Sequence, residues 1–177
     1  MLKLAELCKG DIPAISSAFG SALAEAAAVC LESNSHTQGV EIEVRGLKTS
    51  SYSVTWPPAS TQTFLTWNDS ENATEWGAVG VAILIASLEI GYEIIRQSRK
   101  GTGFDYWMGD STDPGFEEKA GLEVSGILNG DDRSVRARVR RKITQTSISE
   151  RSDLDFYVIV VEFGRPIAEI QKNESHR

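Results

Sequence analysis

The run Phe156–Phe163, FYVIVVEF, limits what this chain can fold into more than any other segment. It is aromatic and β-branched almost throughout and does not alternate with polar residues, the pattern of a strand buried on both faces. Such a strand needs pairing partners at its edges and helices above and below it. The other segments are of the kinds that would supply them. Val40, Ile42 and Val44 alternate with Glu41, Glu43 and Arg45, and Tyr52, Val54 and Trp56 repeat the alternation until Pro57-Pro58 ends it. The two runs predict a hairpin around GLKTSS.

Residues 11–32 predict a helix, with Asp11 as cap, Pro13 in the first turn, and Ile15, Phe19, Leu23 and Ala26 at helical spacing. The capping-rich link NDSENAT leads into a longer helix over 72–98, apolar nearly all round from Ala78 to Ile90. Gly77 and Gly80 lower its propensity and point to close approach of another element. GTGFDYWMG, residues 101–109, reads as a strand, Asp110 to Gly115 as a loop, and Leu122, Val124 and Ile127 as a second strand. Asp131-Asp132 cap a helix over 132–146 whose inner stripe is Val135, Val139 and Ile143. The tail after Lys172 is polar and is expected to fray. This order predicts an α/β fold, a mixed central sheet with flanking helices joined by a crossover.

A length of 177 residues suits one domain over 1–177, with a core at 72–163 preceded by an N-terminal helix and hairpin at 1–58. At a net charge of −7 the average field does not draw the chain to nucleic acid or anionic lipid. MLKLAELCKGD is too short and charged for a signal peptide, and the apolar stretch Trp76–Ser87 falls short of the roughly 20 residues a membrane helix needs. With Cys8 and Cys30 as the only cysteines, both read as core residues, a reducing compartment and a cytoplasmic location are expected, with no membrane partner. His36 and His176 form no zinc spacing with them. GTG at 101–103 lacks the phosphate-loop frame and reads as a bend, and no nucleophile triad is recognisable.

The residues with chemical potential are acidic. Glu75 starts the long helix, Asp105 lies in FDYW and Glu123 in LEVS. Alternation puts Phe104 and Tyr106 on one face with Asp105 and Trp107 on the other, and sets Glu123 and Ser125 opposite Leu122 and Val124. If the two strands pair, Asp105 and Glu123 converge, and paired carboxylates suit a hard cation such as Mg²⁺.

A helix carrying Glu, a strand with Asp, a strand with Glu-x-Lys, a helix and a further strand make the core of the PD-(D/E)xK, or restriction-endonuclease-like, superfamily, which residues Asn72 to Phe163 resemble. The resemblance implies a metal-dependent nuclease. Asp105 and Glu123 would hold Mg²⁺ and Glu75 would assist as an outer ligand. Ser125 stands where the family's lysine falls, and no proline precedes Asp105. The implied catalytic positions are therefore Asp105, Glu123, Glu75 and Ser125, with Lys100 or Lys119 as replacements for the lysine if the fold returns one to the site. Loss of that lysine also fits a degenerate nucleic-acid-binding relative in bacterial, antiviral defence.

Arg133, Arg136, Arg138, Arg140, Arg141 and Lys142 crowd the helix after Asp132. They read as a phosphate-contacting face or as a solvated face that pairs with local carboxylates or meets an acidic protein partner. Trp67 and Trp107 are candidates for stacking on bases. The alternative function is a non-enzymatic interaction protein: an immunity protein, an antitoxin or a subunit of a defence complex.

Overall fold

The computed structural model describes residues 1–112, 115–146 and 154–173. Asp113 and Pro114 of the expected loop, and residues 174–177 of the expected tail with His176, lie outside them. Strand β1 (Leu2–Lys3) runs into a 3-10 helix at Leu4–Lys9, followed by α1 (Ser17–Ser33), β2 (Glu41–Arg45) and β3 (Ser50–Thr55). Then come α2 (Thr61–Thr66), α3 (Ser70–Glu89), β4 (Glu93–Gln97), β5 (Tyr106–Gly109) and β6 (Ala120–Ile127). The last elements are α4 (Asp132–Thr146), β7 (Asp155–Glu162) and β8 (Ile167–Asn173).

The strands form one mixed eight-stranded sheet in the order β1-β3-β2-β8-β7-β6-β5-β4. Strands β4, β5 and β6 are an antiparallel meander. The connection through α4 then brings β7 in parallel to β6, a crossover as expected. Strand β8 returns antiparallel to β7 and pairs in parallel with β2, which joins the N-terminal hairpin to the same sheet.

Alternation along the central strands divides the core. Leu122, Val124, Ile159 and Val161 face α3, with α1 stacked against it, in one large apolar cluster. Val158 and Val160 face the other way, onto Val135 and Val139 of α4. On the first face α1 and α3 lie very close. A Cβ built at Gly77 would come within 2.9 Å of the Ala27 backbone, and one at Gly80 within 3.1 Å of Leu23. Among the described residues no helix is long and apolar enough to cross a membrane.

Several boundaries differ from expectation. The helix expected over 72–98 is α3 followed by β4, because Gly91 adopts a φ of 82° and turns the chain, after which Ile94 enters the core as strand. The first long helix begins at Ser17 instead of residue 11, capped by the Ser16 hydroxyl, which accepts from the Phe19 amide. Strand β7 is central, as its unbroken apolar run implies, with β6 and β8 as its neighbours. Residues 101–105 are a bend and not strand, so Phe104 packs with Trp107 and Phe156 while Tyr106 joins the main core.

Candidate functional site

The site forms where β6 passes under α4. The last paired residues of β5 and β6 at this end are Tyr106 and Leu122. Asp105, one residue earlier, still donates its amide to the Leu122 carbonyl (2.9 Å), and its Oδ2 accepts from the Val124 amide (2.9 Å). This places its carboxylate beside Glu123, as cross-strand neighbours require. Glu123 and Ser125 share the face opposite Leu122 and Val124, and that face is covered by α4, so Glu123 is only 1% exposed.

Helix α4 supplies the positive charge. Lys142 Nζ lies 2.5 Å from Glu123 Oε1, and Gln145 Nε2 donates to the same oxygen at 3.1 Å. One turn earlier, Arg138 donates to Ser125 Oγ at 2.7 Å and to the Gly126 carbonyl at 3.1 Å. Arg138, Lys142 and Gln145 fall on one edge of the helix at spacings of four and three residues. The other Glu123 oxygen, Oε2, is buried and receives no hydrogen bond. The neighbouring Asp105 carboxylate, when ionised, has no proton to offer it.

Burial first, and then the adjacent Asp105 charge, push the Glu123 carboxyl up to about 7, against the pull of Lys142. Burial likewise raises Asp105, opposed by the Val124 amide and the Lys142 charge. A buried carboxylate and a half-buried one beside one lysine carry an excess negative charge, which a cation or a shared proton relieves. Asp105 and Glu123 are the carboxylates that could hold a cation, and among the described residues they belong to no cluster of three or more His, Cys, Asp or Glu suited to a metal.

The pair opens into a cleft of about 600 Å³. Its lining includes Glu75 and Trp76 from α3, Phe19 from α1, and Arg99 and Lys100 from the loop before β5. Gln145 also donates to the Gly103 carbonyl at 3.4 Å, tethering that loop to the site.

The expected site residues separate into groups. Asp105 and Glu123 come together, and Glu75 stands at the cleft, exposed, with its charge acting on Arg138. Ser125 is held by Arg138. The two lysines considered as replacements stay apart from the pair: Lys119 salt-bridges Glu117, and Lys100 stands exposed on the cleft loop. The six cations of α4 do not form one face. Arg133, Arg136, Arg140 and Arg141 are exposed, whereas Arg138 and Lys142 turn toward the sheet. Trp107 is buried at 7% exposure and cannot stack on a ligand. His36 is taken up by the Phe163 carbonyl at 2.9 Å.

Sequence reasoning named Lys142 only within the cationic face, not as the partner of Glu123, and missed Gln145 and Trp76 as parts of the site. A signal for Lys142 was there: it lies seven residues after Val135 and three after Val139, on the margin of the inner stripe. Comparison with protein-family models, with curated proteins and with solved structures finds no match to this chain.

Proposed function

We propose that this chain is a restriction-endonuclease-like, Mg²⁺-dependent phosphodiesterase acting on nucleic acid. The observation that carries the reading is Lys142: a lysine from α4 meets Glu123 beside Asp105, in place of the one that Ser125 displaces from β6. The order helix, three-stranded meander, crossover helix and parallel strand, from α3 to β7, supports the same assignment.

In this reading Asp105 and Glu123 hold Mg²⁺ and Glu75 is an outer ligand. When bound, Mg²⁺ supplies Lewis-acid stabilisation of charge on the phosphoryl oxygens and a lowered pKa for water. The chain's own residues do the rest. Lys142 and Gln145 hold Glu123 by one oxygen and leave the other to Asp105, with which it can share a proton. Lys142, which lines the cleft, puts positive charge beside the reacting phosphate, where it opposes the negative charge that develops as water oxygen bonds to phosphorus and the ester P–O bond breaks, while Arg138 holds Ser125 and the Gly126 carbonyl in place behind it. The departing alkoxide takes up a proton, and the attacking water gives one up.

Cleavage of DNA and RNA with and without Mg²⁺ tests this. Asp105→Asn, Glu123→Gln and Lys142→Met should each lower the rate by roughly 10²–10³-fold, the usual loss of one preorganised charge. Cleavage indifferent to Lys142→Met, or none on either nucleic acid, sinks the reading.

The exposure of Arg133, Arg136 and Arg140, at positions facing away from the inner stripe of α4, favours a second reading, a non-enzymatic protein that binds an acidic partner. A stable protein complex lost in Arg136→Glu with Arg140→Glu, without cleavage, would favour it.

A further inference from the structure

The cleft has two chemically different parts beyond its carboxylates. One is aromatic. Trp76, 37% exposed, packs against Phe19 at 5.3 Å between ring centroids and against Trp67 at 5.7 Å. An indole directly after a cleft-lining glutamate on the same helix, braced by two other rings and still open to solvent, is a preformed stacking platform. The other part is cationic. Arg99 and Lys100 are exposed on a loop shaped by Gly101 and Gly103, at φ of 97° and 85°. Neither side chain has an ion-pair partner among the described residues.

A base inside a duplex has both faces covered by its neighbours, so a lone exposed ring in a cleft has nothing to stack on unless the strand is unpaired. The volume agrees: about 600 Å³ is the size of a small-molecule site and suits a nucleotide or two, not a duplex. Charge agrees as well. A chain at −7 gains little from a long polyanion, whereas stacking adds affinity without using charge.

We infer that the cleft takes an unpaired segment of nucleic acid, one base stacked on Trp76 and the backbone led along Arg99 and Lys100 to the Asp105–Glu123 pair. This specifies the substrate of the phosphodiesterase proposed above and rests on that reading.

The test is binding of short labelled single strands, deoxy and ribo, and of the matching blunt duplex, with Ca²⁺ replacing Mg²⁺. Single strand should bind about 10-fold or more tightly than duplex, because one stacked base contributes roughly 1–3 kcal/mol. Trp76→Ala should remove that preference and leave duplex binding unchanged, while Trp76→Phe keeps most of it. Replacing Arg99 and Lys100 by alanine should make the salt dependence on a single strand shallower by about 1.4 in log–log slope. Should Trp76→Ala fail to fold, Trp76→Leu, apolar but without the ring, decides by the same criterion. The deoxy and ribo arms say which nucleic acid is preferred. Equal binding of duplex and single strand, or single-strand affinity indifferent to the loss of the ring, overturns the inference. Trp76-dependent single-strand binding without Mg²⁺-dependent cleavage would uphold it and remove the nuclease reading. Cleavage of duplex that needs Lys142 but not Trp76 would do the reverse.

Discussion

Strand β6 has two faces that obey different rules. Toward α3 it presents Leu122, Val124 and Gly126, and that side of the sheet is dry and closely packed, with α1 and α3 meeting through alanine and glycine. Toward α4 it presents Glu123 and Ser125, and the covering helix meets them with Lys142, Gln145 and Arg138. Both faces are buried, yet only one buries charge. Its apolar seam is short, four valines with Ile127 and Ile143 at the margin, and next to that seam the helix carries its cations inward. The dry face supports the fold. The polar face keeps Glu123 in a protonation state that water would not favour.

The comparison breaks most readily on the dry face. Ile85, fully buried in the main cluster, should cost about 2–5 kcal/mol on replacement by alanine, because the tight helix pair cannot collapse into the space left. Urea denaturation measures it, and a loss below about 1 kcal/mol would mean that this face is looser than described.

The polar face should respond to pH and change sign with the residue replaced. Glu123 has a folded-state pKa above its ordinary 4.5, so the stability associated with its protonated form is complete below about 4.5 and is lost as pH rises through about 7. Metal-free protein should therefore melt at lower temperature at pH 8 than at pH 5, and Glu123→Gln should flatten that limb. Lys142→Met should steepen it, since it leaves the buried carboxylate without its cation, a change typically worth about 3 kcal/mol. If Glu123→Gln leaves the pH profile as it was, Glu123 is not the group that titrates. The smallest effect belongs to the outer side of α4: Arg133→Ala, Arg136→Ala and Arg140→Ala should each move stability by less than about 0.5 kcal/mol by thermal melting.

The elements most easily read from the sequence were those with a single strong pattern. FYVIVVEF is a central strand because its aromatic and β-branched run offers no polar face to solvent, and α4 begins at 132 as its capping aspartates imply. Strand β4 was hidden because Ile94 and Ile95 follow the apolar helix after only a short break at Gly91, and periodicity alone does not register a change of backbone state there. Strand β8 was hidden because Ile167, Ala168 and Ile170 neither alternate cleanly nor run unbroken. In the site, Glu123 could be read from alternation, whereas Asp105 lies in the bend before β5 and meets it through the Leu122 and Val124 backbone. Lys142 was crowded by a block of six cations, and only its place on the margin of the valine stripe set it apart; that it meets Glu123 depends on the packing of α4 on a sheet that the sequence does not display.

The position of β8 bears on how this protein is born. Glu43 in β2 lies opposite Ile167 in β8, so the N-terminal hairpin reaches the rest of the sheet only through a strand made more than a hundred residues later. Contacts so distant in sequence form late and slowly. While the chain emerges from the ribosome, β2 has only β3 beside it, and Ile42 and Val44, which end fully covered, have no finished core to enter. A ribosome stalled before β8 should hold a chain whose β2–β3 hairpin remains open to proteases and chaperones while α1 already rests on α3, and completing β8 should join the hairpin to the sheet.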